Sequence, residues 1–105
     1  MDNLWRLPPK QAEEDITLLV HNPHVRVERI VSYGHTSPDG FFYDQDWMEW
    51  VSVLEGEAVL EYEDGTKHSL LRGDTVILDA HQRHRVAYTS DPCIWLCVFY
   101  EQQGQ

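Results

Sequence analysis

The chain has little positive charge, and this shortage excludes whole classes of partner. Only 8 of its 105 residues are Lys or Arg, against 18 Asp or Glu, so the formal net charge is -10 with the six His neutral. A field of that sign repels phosphate backbones and anionic lipid headgroups. We therefore expect the protein to bind neither nucleic acid nor membranes.

Long hydrophobic runs are also missing. The longest uncharged apolar run, residues 93–100, is far shorter than the ~20 residues that a membrane-spanning helix needs. The first ten residues, MDNLWRLPPK, lack the basic start and apolar stretch of a secretory signal peptide. The sequence therefore predicts a cytoplasmic protein.

Cysteine is scarce, and its spacing argues against a disulfide. Cys93 and Cys97 stand four positions apart in a predicted strand. At ~3.3 Å per residue, their Cα atoms would lie ~13 Å apart, too far for a disulfide between them. We expect two reduced thiols in the core, as is usual in a reducing compartment.

What the sequence does contain is a succession of short β-type runs. Segments rich in Val, Ile, Leu and aromatic residues alternate with turn formers such as Asp64-Gly65, a pattern typical of an all-β sandwich or barrel. No segment of helical length shows a 3.6-residue period. Residues 1–15 are predicted to form an arm or edge strand, and residues 16–105 a single domain. The predicted strands are 16–20, 25–33, 41–45, 49–56, 57–63, 67–71, 75–79, 83–89 and 93–101.

Side-chain alternation places two ionisable groups inside the predicted barrel. Arg83 and Arg85 mark the solvent face of their strand, so His84 points inward. Ser52 marks the outer face of residues 49–56, which places Glu49 inward. A buried carboxylate and imidazole are costly unless they pair, share a proton or hold a metal. The predicted interior positions are Glu49, Val51, Val53, Ala58, Leu60, Tyr62, His84, Val86 and Tyr88.

The same alternation leaves Trp50 and Leu54 on the outer face, where they would need a partner surface. Such an apolar pair predicts a homodimer. The aromatic residues predicted to line a pocket, the core or that interface are Trp47, Trp50, Tyr62, Tyr88, Trp95 and Phe99.

Arg29 interrupts a strand in which Val25, Val27 and Val31 share its face. An arginine inside the cavity would be a natural clamp for a carboxylate substrate. The alternative is a β-bulge that turns the side chain outward, as is common at barrel rims. We expect the bulge.

Two pairs of residues give the chain a resemblance to the cupin superfamily. Glu49 and Gly56 are similar to the Glu-(six residues)-Gly of the first cupin motif, and Gly73 and His84 to the Gly and His of the second. The resemblance covers roughly residues 25–100. It implies a double-stranded β-helix, the jelly-roll barrel of cupins, and supports a homodimer.

The first motif is altered, because its two His are absent. Their positions hold Tyr43 and Gln45 in one register, or Phe42 and Asp44 in the other. We prefer the first register, since Tyr and Gln can both offer an oxygen whereas Phe cannot. His81 has the opposite parity to His84 and falls in a turn, so we expect it to be exposed at the barrel mouth.

The resemblance implies one divalent transition metal (Fe, Mn, Zn or Ni) held by Gln45, Glu49 and His84, with Tyr43 as catalytic acid or base. The leading interpretation is a metal-dependent oxygenase, isomerase or lyase that acts on a small polar metabolite in the barrel. The alternative is a metal-free module that binds or senses a small molecule, with Glu49 and His84 hydrogen-bonded to each other. A purely structural dimer is the third interpretation. No nucleotide-binding or phosphate-loop motif occurs, so no further cofactor is predicted.

Overall fold

The computed structural model describes residues 3–101, which fold into two antiparallel β-sheets. One sheet has the strand order β1-β2-β8-β3-β6, and the other the order β5-β4-β7. The prediction of an all-β jelly roll is confirmed. The strands are β1 (Asp15–Asn22), β2 (Val25–Ser32), β3 (Met48–Glu55), β4 (Ala58–Tyr62), β5 (Lys67–Leu70), β6 (Thr75–Leu78), β7 (His84–Thr89) and β8 (Cys93–Tyr100).

The predicted division of the chain into an arm and a barrel domain stays a prediction. Residues 1–2 of the arm and 102–105 of the domain lie outside the described residues. Within residues 3–101, no helix has the length and apolar character needed to cross a bilayer.

The core lies between the facing sheets and is built mainly from the inward sides of β3, β4 and β8. Val53 and Cys93 are fully buried there. Cys97 is buried as well, and both thiols are free, which confirms the prediction for the two cysteines. The buried core residues are Val51, Val53, Ala58, Leu60, Leu70, Leu78, Cys93, Trp95, Cys97 and Phe99.

The segment 41–45 is not a strand, contrary to the prediction. It touches β7 through one isolated bridge, in which the Tyr43 amide donates to the His84 carbonyl at 2.6 Å and the His84 amide donates to the Tyr43 carbonyl at 3.2 Å. The ladder stops there because the next inward residue, Gln45, has its carbonyl turned to the His81 amide, 2.7 Å away. The segment therefore closes one side of the barrel as a loop.

The predicted bulge at Arg29 is wrong, although the side chain does point away from the cavity. β2 pairs with β8 from Val25 to Ser32 without a register shift, and the bulge lies in β1 instead. The whole odd-numbered face of β2 is an outer face. Arg29 is buried on this face because residues 3–6 cover its side chain, and its guanidinium donates to the carbonyls of Leu4 at 3.3 Å and Arg6 at 2.7 Å.

The prediction that Tyr88 points inward is also wrong. Along the β4–β7 ladder, Val59 pairs with Tyr88 but Leu60 pairs with Val86, so β7 carries one extra residue. That bulge reverses the alternation beyond Val86. Tyr88 is consequently exposed, and Thr89 is buried in its place.

Candidate functional site

A cavity of about 320 Å³ opens between the two sheets. Its floor is the concave face of β2, β3 and β8, and its opposite wall comes from β4, β7 and the loop 41–45. The size is at the lower end of the range for small-molecule sites. The polar and titratable residues that line it are Glu14, Arg26, Glu28, Tyr43, Gln45, Glu49, His84 and Cys97.

Glu49 lies on the central part of this floor, on β3 between β8 and β6. Its side chain is buried, as the alternation predicted. The Gln45 amide donates to Glu49 Oε1 at 2.8 Å, and the nearby Cys97 thiol also favours the charged carboxylate. Burial nevertheless raises the pKa of Glu49, because these groups and the nearby His84 do not fully replace the lost water.

His84 begins β7 and faces Glu49 from the opposite sheet. Its ring is buried, and Nδ1 lies 2.9 Å from the backbone carbonyl of Gln82. A carbonyl oxygen can only accept, so Nδ1 carries a proton, and the tautomer that can bind a metal is the one with its lone pair on Nε2. Nε2 lies 3.9 Å from Glu49 Oε1.

This pair suits a divalent metal. A histidine whose Nδ1 donates to a backbone carbonyl has its ring orientation and tautomer fixed, as in metal-ligating histidines generally. A neutral imidazole and a carboxylate are both good ligands for Fe, Mn, Zn or Ni. Among residues 3–101, no group of three or more His, Cys, Asp or Glu side chains converges as a metal site. A complete shell would therefore draw on an oxygen from Gln45, water or substrate.

Gln45 reaches the cavity, and so does Tyr43, whereas Phe42 and Asp44 do not line it. The structure thus favours the preferred register of the altered motif. As placed, Gln45 presents its amide nitrogen to Glu49. It would serve as an oxygen ligand after a half-turn of that amide, so its ligand role stays a prediction.

Tyr43 stacks on His84, with ring centroids 5.4 Å apart and an interplanar angle of 29°. Burial raises the pKa of the Tyr43 phenol, and the nearby Glu14 carboxylate raises it further. The phenol therefore stays protonated at neutral pH and can donate a proton or a hydrogen bond. Of the two predicted roles, acid and base, this environment favours the acid.

His81 is exposed in a turn, as predicted, but it is not among the residues that line the cavity. Its Nδ1 lies 2.7 Å from Asp44 and its Nε2 3.1 Å from Asp46. These carboxylates flank Gln45, whose carbonyl accepts from the His81 amide. The hydrogen bond with Asp44 raises the pKa of His81. His81, at φ 62°, thus holds the loop that positions Gln45.

Arg26 and Glu28 are cavity residues that the sequence reasoning missed. Both project from the even-numbered face of β2, with Ile30, into the cavity. The valines on the odd-numbered face of β2 had suggested that this face, rather than the even-numbered one, pointed into the interior. The available signal was Arg29, because a charge on the valine face shows that neither face of β2 is purely apolar.

Comparisons with known proteins agree with this architecture. Residues 30–99 match the family model described as the cupin domain. The crystal structure of a candidate mannose-6-phosphate isomerase from Ralstonia eutropha JMP134 is 36% identical, with a TM-score of 0.91, and the match covers 97% of this chain and 98% of that one. A cupin superfamily protein from Desulfitobacterium hafniense DCB-2 is 15% identical, with a TM-score of 0.79 over 91% of this chain and 84% of that one. No curated protein matches.

Proposed function

Because the chain belongs to the cupin family, whose fold hosts many unrelated reactions, we propose its function from the cavity itself: a divalent-metal-dependent enzyme acting on a small polar metabolite. The observation that carries this proposal is the buried Glu49–His84 pair, whose Oε1 and Nε2 atoms lie 3.9 Å apart at the cavity. A buried carboxylate with a raised pKa, beside an imidazole with a free lone pair, is an arrangement that a cation stabilises.

In the proposed site, Glu49 and His84 hold the metal and Gln45 completes or borders its shell. Bound by these residues, a divalent ion would supply Lewis-acid chemistry toward a carbonyl or hydroxyl of the substrate. Tyr43 lies at the same wall, stacked on His84, and its protonated phenol can donate to an oxygen on which charge develops.

Among oxygenase, isomerase and lyase, we favour isomerase. The 36% identical Ralstonia protein, itself a candidate sugar-phosphate isomerase, supports this choice. Proton transfer within a substrate also suits the groups present, since the protonated phenol of Tyr43 can donate a proton at the cavity wall.

Elemental analysis tests the proposal, using protein purified without a metal-binding tag or chelator. The test variant is Glu49→Ala/His84→Ala. The chain offers a matched control in His24 and Glu101, a second Glu–His pair, which is exposed, with its atoms 3.0 Å apart. We expect about one transition-metal ion per chain in the wild type and in His24→Ala/Glu101→Ala, and none in the test variant. Metal retained by the test variant would contradict the proposal.

One observation favours the second candidate, a metal-free binding module. The Gln45 amide donates to Glu49, so the carboxylate already has a hydrogen-bond partner in the protein. This candidate predicts a folded wild type that takes up no metal on reconstitution and turns no substrate over, yet binds a small molecule in the cavity.

We also propose a cytoplasmic location and a homodimer, with no binding to nucleic acid or membranes. Two free buried thiols support a reducing compartment, and the net charge of -10 supports the lack of polyanionic partners.

A further inference from the structure

Arg26 supplies the cavity with a charged group whose terminal nitrogens are free to bind a ligand. It is the one permanent cation among the described residues that line the cavity. The guanidinium carbon lies 4.1 Å from the centroid of the Phe99 ring. Nε lies 2.9 Å from Glu28 Oε2, at ion-pair distance but without the alignment of a hydrogen bond. The two Nη atoms make no hydrogen bond within residues 3–101.

The register of the large sheet sets Arg26 in line with the proposed metal pair. Arg26 pairs with Phe99, and Phe99 pairs with Glu49, so the three residues form one row across β2, β8 and β3. At about 4.8 Å per strand, the Cα atoms of Arg26 and Glu49 lie roughly 10 Å apart. Since the guanidinium leans over Phe99, between them, a ligand held by Arg26 extends over that ring toward Glu49 and His84.

We propose that Arg26 is a carboxylate-binding residue, and that the substrate is a small monocarboxylate bearing a carbonyl or hydroxyl group. The planar fork of an arginine matches a carboxylate in two parallel hydrogen bonds. Stacking on Phe99 fixes the plane of the fork in advance, which lowers the entropy lost on binding. With the carboxylate on Arg26, the carbonyl or hydroxyl reaches the Glu49–His84 pair.

The surrounding charge selects a single negative charge over two. Glu14, Glu28 and Glu49 all line the cavity around Arg26. A phosphoryl group carries about 1.5 to 2 negative charges at neutral pH, so its repulsion from these carboxylates exceeds that of a monocarboxylate. The substrate class therefore differs from the sugar phosphate suggested by the Ralstonia relative.

This inference rests on the proposed function only in that it uses the same cavity, so its test is run without metal. Binding of pyruvate, of its uncharged amide and of inorganic phosphate is followed by NMR shifts of ¹⁵N-labelled protein in excess chelator. We expect saturable binding of pyruvate, weaker binding of phosphate and none of the amide. The same titration of Glu49→Ala/His84→Ala separates the two proposals, because loss of metal binding leaves the Arg26 site intact.

Three variants test whether pyruvate binds at Arg26. Arg26→Gln should weaken pyruvate binding by about 10- to 100-fold, the range for hydrogen bonds to charged groups. Arg72→Gln, which makes the same charge change at an exposed residue away from the cavity, should have no effect. Glu28→Gln removes the competing charge but keeps an acceptor for Nε, so it should tighten binding several-fold.

Several results would overturn the inference. These are pyruvate shifts that do not saturate, an amide or phosphate that binds as tightly as pyruvate, equal effects of Arg26→Gln and Arg72→Gln, and weaker binding by Glu28→Gln. The dispersion of the ¹⁵N spectra shows in the same experiment that each variant is folded, and Glu28→Gln tests the site through a gain that misfolding cannot produce.

Discussion

The buried position of the Glu49 carboxyl group disfavours its ionised form. Its pKa in the folded protein is raised, above all by burial. The folded protein therefore binds this proton more tightly than the unfolded chain does. Stability is greatest below the unfolded pKa and falls as the pH rises through the folded value. Without a cation, the residue costs stability at neutral pH.

Replacement of this charge by an amide of the same shape should stabilise the metal-free protein. We expect Glu49→Gln to gain on the order of 1 kcal/mol at neutral pH, a rise in melting temperature of roughly 4–8 °C for a domain of this size. The gain should vanish as the pH falls well below the ordinary glutamate pKa of 4.5, because the wild-type carboxyl is then protonated in both states. Thermal unfolding of both proteins across this pH range, in excess chelator, measures it.

Addition of a divalent ion should make the wild type more stable than Glu49→Gln, since only the wild type keeps the proposed carboxylate ligand. At a free concentration 100 times the Kd, the ion would stabilise the wild type by about 2.7 kcal/mol. A wild type and a Glu49→Gln variant with the same stability at every pH would show that Glu49 carries no unfavourable buried charge.

At the scale of the element, the turn between β3 and β4 is fixed by a close approach to the segment before β8. Gly56 has φ +85°, and a Cβ atom there would lie 2.2 Å from Ser90 Oγ and 2.6 Å from the Pro92 carbonyl oxygen. The second contact is with backbone, which cannot rotate away. Gly56 therefore sets the end of the strand that carries Glu49.

We expect Gly56→Ala to destabilise the protein by about 3 kcal/mol or more, combining left-handed backbone strain with displacement of the segment 90–92. Gly65→Ala is the matched control, because Gly65 has φ +91° but open space around its Cβ position. It should cost only about 1–2 kcal/mol. Denaturant unfolding gives both values, and equal losses would refute the role of the close approach.

The elements also show which parts of the site the sequence could predict. Glu49 and His84 were both placed inward correctly, Glu49 although its marker Ser52 is itself buried, and His84 because Arg83 marked the other face of its strand as solvent. Side-chain alternation identifies the inward face of a strand only where the opposite face is exposed to solvent. β2 has no such exposed face, since Arg29 on its outer side is buried beneath residues 3–6 and the cavity lies on the other side, so Arg26 and Glu28 were missed.

Two further errors come from backbone features that alternation does not record. The bulge in β7 reverses the faces beyond Val86, which moves Tyr88 to the surface. The segment 41–45 has strand-forming residues, but His81 draws the Gln45 carbonyl out of the ladder. Both depend on contacts between residues far apart in sequence.

At the scale of the whole molecule, the large sheet ends at β1, and no strand within residues 3–101 pairs with its outer edge. Ile16, Leu18 and Val20 on this strand are about half exposed, at 56%, 52% and 48%. Trp50 and Leu54, which suggested the dimer from sequence, are half-buried instead. An apolar edge strand is a ready template for association, so β1 is the better candidate for the interface.

A dimer through β1 should depend on Leu18 but not on the opposite edge of the sheet. We expect Leu18→Lys to convert the wild-type dimer to a monomer, measured as molar mass by light scattering. Ile77→Lys is the control, since Ile77 is 55% exposed on β6, the other edge strand.

Each chain carries a charge of -10, so repulsion opposes association and added salt should strengthen the dimer. A wild type that stays monomeric at high protein and salt concentrations would rule this interface out, and equal dissociation of both variants would place it elsewhere.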